Sequence, residues 1–322
     1  MYPLKFEKVF KEKVWGGRNF ESILNIKLKS NKKIGESWEV STHKNGISIV
    51  SSGIYKGKTL QELINQYGES IVGKKVYTKF KNKFPLLIKY LDINDKLSVQ
   101  VHPNDKYALE NEGEFGKSEC WYVIDASKDA KLILGIKENI SKEIFHKKVQ
   151  KNDFSELFNE IPVKKGDFIN ISPGLVHAST EGSILICEIQ QNSDTTYRIY
   201  DFDRVVDGKL RPLHIDKALE VINFGLKPEI TEEKYRENIK INETNIQNLI
   251  RNEYFNVDKL DIKNKYSYNL KDSFSILSII DGAGQLIYNS EIYNIKKGET
   301  YFIPANLNIE INGNLTILKS FL

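Results

Sequence analysis

The stretch "KLSVQVHPNDKYALENEGEFGKSECWYVI", residues 96–124, contains two alternating segments that carry polar side chains on one face. In the first segment Val99 and Val101 share one face of a predicted strand, so Gln100 and His102 share the opposite face. In the second segment Lys117 and Glu119 share a face by the same alternation. An amide, an imidazole, an ammonium and a carboxylate are therefore directed at one space. Such a face is either solvated or holds something that needs those groups.

The composition predicts a folded protein with a large core. Of 322 residues, 40% are apolar, and they include 16 Phe, 16 Tyr and 3 Trp. This length allows one large domain or two to three modest ones. The formal charge of +4 arises from 47 basic and 43 acidic residues. Because this balance is nearly even, it does not indicate nucleic acid, and we expect no nucleic-acid partner.

Features of exported or membrane proteins are not evident in the chain. The N-terminal residues do not contain an apolar segment of signal-peptide length, and no apolar run approaches the length of a membrane-spanning helix. The two cysteines, Cys120 and Cys187, do not make a disulfide framework and are expected to be buried thiols. We therefore expect a soluble cytoplasmic protein that does not bind membranes.

Short alternating segments separated by turn residues dominate the sequence and predict a mainly β fold. Helical periodicity is restricted to four segments, 59–73, 104–113, 141–150 and 215–224. Closely spaced strands with Gly and Pro turns favour a sandwich or barrel that is decorated by a few α-helices.

A weak internal repeat suggests two copies of one β-unit. Residues 163–178 and 295–311 both run from Lys-Lys-Gly through a short strand to Pro and a tight turn. The first turn is followed by His177, whereas the second, at 304–306, is not followed by a histidine. We therefore expect a functional site in the first copy only.

The five histidines differ in their sequence context. His102 and His177 each end a predicted strand and start a turn, where side chains of a barrel reach a mouth or cavity. His146 lies beside lysines on a predicted helix and is expected on the surface. His43 precedes a turn, and His214 lies at a predicted helix start, where a structural role is as good an explanation as a functional one.

Two imidazoles, the Glu119 carboxylate and the Gln100 amide would make an open site for a divalent metal. Two His and one Glu match a catalytic zinc set in which other positions remain for an amide, water or substrate. The ligands come from three strands, so their spacing alone is a weak signal. The alternative is that Gln100 and His102 are only polar residues near a strand end.

The segment "GDFINISPGLVH", residues 166–177, resembles the second motif of the cupin superfamily, and "QVHP…KSECWYV" resembles a diverged first motif. The resemblance is closer to the short bacterial type I mannose-6-phosphate isomerases and extends from about residue 4 to about residue 215, with a looser tail. It is carried, in order, by "VWGGRNF" (14–20), "GESWEVS" (35–41), "LLIKYLDINDKLSVQVHP" (86–103), "GKSECWYV" (116–123), "PGLVHA" (173–178) and "SDTTYRIYDFDR" (193–204).

The resemblance implies a zinc-dependent aldose–ketose isomerase built on two cupin-type jelly-roll β-units. It implies one zinc per chain, ligated by Gln100, His102, Glu119 and His177, and a catalytic arginine at Arg198. Little sequence separates the first ligand strands from the His177 turn, so no room remains for the large helical insert of longer family members. The implied domains are a catalytic unit over 1–229 and a degenerate cupin-like unit over 230–322.

Interconversion of mannose 6-phosphate and fructose 6-phosphate moves a proton between C2 and C1 through an enediol(ate). The reaction needs stabilisation of charge on oxygen, a proton carrier and an anchor for the phosphate. Arg198 could stabilise the charge, or it could form a surface ion pair with Asp201 or Asp203. Lys117 is a further catalytic candidate, because it could contact the phosphate or transfer a proton; alternatively it is an exposed lysine at a strand start.

Lys89, Ser98 and Trp15 are the candidates for binding the sugar phosphate, although a tryptophan in the core is as common as one in a sugar pocket. The alternative function is a metal-binding cupin that is not an isomerase, either an iron dioxygenase or a sugar-binding sensor. A monomer is favoured.

Overall fold

The computed structural model describes residues 1–206 and 208–322, which form a mainly β protein as predicted. The strands of the first two-thirds of the chain are β1 (Leu4–Lys5), β2 (Val9–Gly17), β3 (Ile34–Val40), β4 (Leu86–Ile93), β5 (Leu97–Val101), β6 (Glu119–Ala126), β7 (Lys131–Ile136), β8 (Phe158–Pro162), β9 (Phe168–Ile171), β10 (His177–Glu181), β11 (Ile184–Gln191), β12 (Tyr197–Tyr200), β13 (Val205–Val206) and β14 (Lys209–Leu210). The remaining strands are β15 (Glu229–Thr231), β16 (Ile239–Ile241), β17 (Thr244–Arg251), β18 (Asn256–Ile262), β19 (Lys265–Asn269), β20 (Ser275–Tyr288), β21 (Glu291–Lys296), β22 (Thr300–Ile303) and β23 (Asn308–Phe321).

The helices are short and lie between the strands. They are α1 (Asn19–Ser22), α2 (Leu60–Tyr67), α3 (Glu69–Val72), α4 (Lys74–Phe80), α5 (Asp105–Asn111), α6 (Lys142–Gln150) and α7 (Ile215–Val221), with one 3₁₀ turn at Glu233–Tyr235. Three of them begin at capping residues of the predicted helical segments, Thr59, Asn104 and Ser141, whose side chains accept the first free backbone N–H groups. Helices α1 and α4 were not predicted. None of the helices in the described part of the chain is long and apolar enough to cross a membrane.

Two antiparallel sheets form the N-terminal sandwich. The seven-stranded sheet has the order β15-β9-β6-β11-β4-β3-β2, and the five-stranded sheet has the order β12-β5-β10-β7-β8. Trp121 and Ile169 of the first sheet and Leu97 and Leu134 of the second are buried in one cluster, so the inner faces of the sheets pack together. Helices α6 and α7 cover the five-stranded sheet through a second cluster.

The C-terminal third forms a separate nine-stranded antiparallel sheet with its own apolar cluster. Its central path is β1-β22-β20-β23-β18-β17-β16, with β19 and β21 paired at the side. Strand β1 comes from the start of the chain, so Leu4 pairs with Phe302. The N-terminal residues therefore hold the C-terminal sheet against the sandwich.

A shared aromatic core joins the sandwich to the C-terminal sheet. The ring of Phe84, just before β4, lies 5.1 Å from that of Phe274 and 6.0 Å from that of Phe302, measured between centroids. All three belong to one buried cluster that also contains Tyr90 and residues of α2. Because the two units share this core, their stabilities should be coupled.

The chain passes from the sandwich to the C-terminal sheet between β15 and β16. Strand β15 pairs with β9 in the seven-stranded sheet, and β16 pairs with β17 in the nine-stranded sheet. The predicted boundary between residues 229 and 230 therefore falls within β15. The division into two domains itself stays a prediction.

Candidate active site and metal centre

The candidate site lies between the two sheets of the sandwich, where a row of polar residues crosses the five-stranded sheet. Gln100 on β5 is paired with His177 on β10 at one side and with Arg198 on β12 at the other. His102 follows directly after β5. The strand pairing thus brings residues from three distant parts of the sequence into one line.

A second polar row crosses the opposing seven-stranded sheet. Glu188 on β11 is paired with Trp121 on β6 and with Lys89 on β4, and Lys89 is in turn paired with Trp38 on β3. Residues that sit opposite one another on neighbouring strands lie on the same face. Trp121 of this row meets His177 of the first row across the interior of the sandwich, with their ring centroids 5.5 Å apart.

His102, Glu119 and His177 converge on one point. Their ligand atoms all lie within 4.8 Å of one another, and each side chain is at most 1% exposed. The Glu119 Oε1 atom is 3.3 Å from His177 Nε2 and 3.7 Å from His102 Nε2. The expectation that His177 ends a strand was wrong, because the turn after β9 runs through residue 176 and His177 opens β10.

Hydrogen bonds at the far ring nitrogens orient both histidines. His102 Nδ1 lies 3.0 Å from the Thr195 carbonyl oxygen, and His177 Nδ1 lies 3.0 Å from the Leu175 carbonyl oxygen. Since a carbonyl only accepts, each Nδ1 carries the proton, and each Nε2 directs its lone pair toward Glu119. Burial lowers the pKa of His177 to about 4 and that of His102 well below its ordinary value, with Lys117 adding to both effects. Both rings are therefore neutral at pH 7.

These residues fit a divalent metal. The Oε1 atom of Glu119 is buried without a hydrogen-bond partner among the described residues, which is costly for a carboxylate oxygen unless an ion is bound. Two neutral imidazole nitrogens and a carboxylate are the donors of catalytic zinc sites. Gln100 lies beside them, with its Nε2 atom 3.2 Å from His177 Nε2. A ligating Gln100 would have to turn its amide over, so that the oxygen replaces the nitrogen.

Lys117 precedes β6 and directs its ammonium at the His102–Glu119–His177 group. Its Nζ atom donates to Glu119 and lies 3.3 Å from His102 Nε2 and 4.0 Å from Glu188 Oε1. The alternative of an exposed lysine is excluded, because the residue is only 4% exposed. Burial, opposed by Glu188 and assisted by Lys89, lowers the pKa of Lys117 to about 8.

Glu188 and Lys89 form a buried ion pair at the floor of the site. Lys89 Nζ lies 3.0 Å from Glu188 Oε2 and donates to Gln190 Oε1 at 2.8 Å, while Trp121 Nε1 donates to Glu188 Oε1 at 2.9 Å. Burial alone would raise the pKa of Glu188, but Lys89 and Lys117 outweigh it and lower that pKa to about 2. The ion pair therefore stays charged over the physiological range.

Arg198 does not form the ion pair that its sequence neighbours suggested. Asp201 is held by Arg204, at 2.7 Å, and by Arg211, whose Nε donates to Oδ2 at 2.7 Å. Arg198 Nη1 instead donates to the Pro212 carbonyl at 2.9 Å. Its Nε is buried without a hydrogen-bond partner in the described part of the chain. An unpaired donor at this position is available to a ligand.

A polar cavity of about 280 Å³ connects these groups. Every predicted catalytic and substrate-binding residue lines it, as does Gln100, while the His-Glu-His group lies next to it. The lining comprises Lys13, Trp15, Glu36, Lys89, Leu91, Leu97, Ser98, Gln100, Lys117, Trp121, Glu188, Asp194, Thr196, Arg198 and Arg211.

Sequence reasoning missed the acidic side of this cavity and one of its arginines. Glu36, Glu188, Asp194 and Arg211 were not predicted as site residues, although all line the cavity. Glu188 was the easiest of the four to predict, because a carboxylate within the apolar strand segment 182–190 is unusual unless it is paired. The other three gave no such signal.

The remaining histidines lie outside the ligand group. His146 is half-buried on α6, and His43 is buried with its Nε2 3.3 Å from Glu114 Oε1. His214 lies just before α7 and contacts the backbone of Arg198, through a 3.1 Å hydrogen bond to its Nδ1. Both cysteines are buried, as predicted.

Comparison with known proteins identifies the family. Residues 3–123 match the family model "Phosphomannose isomerase type I, catalytic domain", and residues 245–322 match "Mannose-6-phosphate isomerase, cupin domain". The chain is 40% identical over 308 residues to the mannose-6-phosphate isomerase ManA of Bacillus subtilis, covering 95% of this chain and 94% of that protein. It is 38% identical over 320 residues to a mannose-6-phosphate isomerase of Streptococcus mutans, covering 99% and 98%.

The solved structures agree with this assignment. The crystal structure of the mannose 6-phosphate isomerase from Bacillus subtilis superimposes with a TM-score of 0.90 at 36% identity and covers 99% of both chains. A putative mannosephosphate isomerase from Archaeoglobus fulgidus, at 22% identity, shares the fold with a TM-score of 0.76 over 99% of this chain and 97% of that one. The chain therefore belongs to the type I mannose-6-phosphate isomerase family.

Proposed function

We propose that this chain is a zinc-dependent aldose–ketose isomerase that interconverts D-mannose 6-phosphate and D-fructose 6-phosphate through an enediol(ate). The observation that carries the proposal is the group of two neutral histidines and Glu119 beside a cavity that also receives an unpaired arginine donor. Membership of the family supports the choice of substrate.

His102, Glu119 and His177, together with Gln100, are the proposed ligands of one zinc ion per chain. When bound, zinc supplies Lewis-acid stabilisation of charge on a sugar oxygen. The two carbonyl acceptors at Thr195 and Leu175 keep the Nε2 lone pairs directed at this position. His102, Glu119 and His177 are at most 1% exposed, so bulk water has little access to them.

Arg198 is proposed to stabilise the negative charge that develops on the substrate oxygens. Its guanidinium is half-buried and cationic at all physiological pH values, and its Nε has no partner among the described residues to compete with a ligand. Donors that are already in place before the reaction stabilise the transition state without a cost of reorganisation.

Lys117 is proposed as the second catalytic residue, which exchanges the proton that moves between C2 and C1. Its Nζ atom lies within 4.0 Å of His102, Glu119 and Glu188, so it can pass a proton to or from a group at the metal centre. Lys89, Ser98 and Trp15, which line the same cavity, are proposed to bind the sugar phosphate.

The catalytic unit is proposed to span residues 1–229, and residues 230–322 to form a degenerate cupin-like unit without a metal. All proposed ligands lie in the sandwich, and the turn at 304–306 offers no histidine where the first unit has His177.

The test combines a metal assay with an assay of isomerisation. The purified chain should contain about one zinc per chain, should lose turnover of mannose 6-phosphate on chelation, and should regain it on addition of zinc. Fructose 6-phosphate would be detected by a coupled assay. Full turnover by a metal-free sample would refute the metal requirement, and no fructose 6-phosphate from a zinc-loaded sample would refute the isomerase.

A further inference from the structure

The segment before α7 is attached to Arg198 by three hydrogen bonds. The backbone N–H of Arg198 donates to His214 Nδ1 at 3.1 Å, and the backbone N–H of His214 donates to the Arg198 carbonyl at 2.7 Å. The side chain of Arg198 donates from Nη1 to the Pro212 carbonyl at 2.9 Å. Residues 212–214 therefore hold both the backbone and the guanidinium of a single residue.

Arg198 needs this support because β12 lies at the edge of its sheet. In the described part of the chain β12 pairs only with β5, where Arg198 lies opposite Gln100. The sheet leaves the backbone N–H of Arg198 without a partner, and His214 Nδ1 accepts the hydrogen bond from this group. A backbone N–H in a half-buried strand is costly to leave without a partner, so the ring fixes the position of this strand.

We propose that His214 is a positioning residue, which holds Arg198 at the depth and orientation that its charge-stabilising role requires. This inference rests on the proposed function of Arg198. His214 itself does not line the cavity beside the candidate metal ligands; it lines an adjoining cavity with Tyr197 and Lys217.

The protonation of His214 agrees with this assignment. An imidazole that accepts at Nδ1 carries its proton at Nε2, and a doubly protonated ring could not accept the Arg198 N–H. Burial first, and then the cations of Arg198 and Lys217, lower the pKa of His214 below its ordinary value, against the opposing charge of Glu112. The ring is therefore neutral, and an acceptor, at pH 7.

The test compares His214→Ala with His214→Asn in the zinc-loaded protein. Asn can place its Oδ1 where the histidine has Nδ1, so it keeps the acceptor, whereas Ala removes it. We expect His214→Ala to lower kcat about tenfold or more with little change in KM, because a small displacement of a catalytic group costs rate rather than binding. We expect His214→Asn to stay within about threefold of the parent.

Tyr107→Phe is the matched control. It removes the 2.6 Å hydrogen bond from Tyr107 on α5 to Glu220 on α7, the helix that follows His214, and leaves the hydrogen bonds of Arg198 in place. We expect Tyr107→Phe to leave kcat unchanged. The zinc content should be the same in Tyr107→Phe, His214→Ala and His214→Asn. An Asn variant as slow as the Ala variant, or an Ala variant with the parent kcat, would overturn the proposal.

A double variant shows whether the ring acts through Arg198. In an Arg198→Lys background, His214→Ala should cost less than twofold, because the group that it positions is already gone. A further tenfold loss would place the role of His214 elsewhere and overturn the inference.

A readout without activity separates the inference from the proposed function. The ¹⁵N relaxation of the Arg198 Nε–H should show greater mobility in His214→Ala and parent-like mobility in His214→Asn. This result would support the positioning of Arg198 by His214 even if the parent does not isomerise mannose 6-phosphate. Unchanged mobility of the Arg198 Nε–H in His214→Ala would refute the positioning role of His214 even if the parent is an active isomerase.

Discussion

At the scale of single residues, the candidate metal centre depends on bonds made by atoms that face away from it. The Nδ1 atoms of His102 and His177 each donate to a backbone carbonyl, at Thr195 and Leu175. These bonds fix the tautomer, so that both Nε2 atoms meet Glu119 as lone pairs. The arrangement is selective for a cation, because it offers acceptors and no donor from the two histidines.

Removal of any one of these three proposed ligands should lower both metal binding and turnover. We expect His102→Ala, Glu119→Ala and His177→Ala each to reduce zinc content and isomerase activity strongly, measured by metal analysis and the coupled assay. His146→Ala is the control, since His146 lies on α6 outside the ligand group. An equal loss of zinc and activity in His146→Ala would mean that the histidines have been divided wrongly into ligands and non-ligands.

The Arg198→Lys variant separates catalysis from fold and from phosphate binding. Lysine keeps the charge but lacks the planar fork, so kcat should fall about a hundredfold while zinc content and melting temperature stay near the parent values. Steady-state kinetics provides the measurement. A raised KM with a parent-like kcat would instead assign Arg198 to the phosphate, and Lys117 would become the leading catalytic candidate.

At the scale of elements, the turn between β9 and β10 leads directly into His177 and contacts the backbone of His102. Gly174 in this turn has φ of +89°, and its N–H donates to the His102 carbonyl at 2.9 Å. A Cβ atom added there would lie 2.9 Å from the Val221 carbonyl oxygen and 3.1 Å from Asn223 Cβ. The turn thus couples the His102 backbone, the start of β10 and the end of α7.

We expect Gly174→Ala to lower zinc affinity and stability together. The left-handed backbone costs about 1 kcal/mol or more for alanine, and the contact with residue 221 forces the turn away from His102. Zinc affinity would be measured by competition with a chelator, and stability by denaturant unfolding. Gly57→Ala is the control, because Gly57 also has positive φ (+85°) but an added Cβ atom would have no atom within 4 Å.

Gly174→Ala and Gly57→Ala therefore have a similar backbone conformational cost, and only Gly174→Ala adds a close contact, with the Val221 carbonyl oxygen. Equal zinc affinity in the two variants would show that the turn does not determine the geometry of the site.

At the scale of the whole molecule, the sandwich and the C-terminal sheet are joined by one core. Phe84, Phe274 and Phe302 pack within it, and β1 from the N-terminus pairs with β22. The three tryptophans, Trp15, Trp38 and Trp121, all lie in the sandwich, so their fluorescence reports on that unit alone.

We expect Phe302→Ala to destabilise both units in a single transition. Phe302 is fully buried in the C-terminal sheet, and its truncation should cost about 3–5 kcal/mol. The tryptophan transition and the calorimetric transition should shift to lower temperature together. Ile292→Ala is the control in the same sheet, since Ile292 is 58% exposed and should change stability little. A tryptophan transition that stays in place would show that the units unfold independently.

The sequence by itself determined the β character of the chain, its family resemblance and the residue types of the candidate metal centre. Alternation in residues 99–102 was sufficient to predict that Gln100 and His102 share one face, because side chains of a strand alternate by local geometry. The helical segment that opens at Asn104 was predicted for a similar reason, since a cap is satisfied within a single turn.

Only the tertiary structure decided which residues face those ligands across the sandwich. Glu188 lies between Lys89 and Trp121 because β11 pairs with β4 and β6. Asp201 is held by Arg204 and Arg211, and Arg198 donates to the Pro212 carbonyl instead. The His214 contact with Arg198 likewise joins a strand edge to a helix start 16 residues away. Such partners are chosen by long-range strand pairing and by competition among charged neighbours, neither of which leaves a periodic signal along the chain.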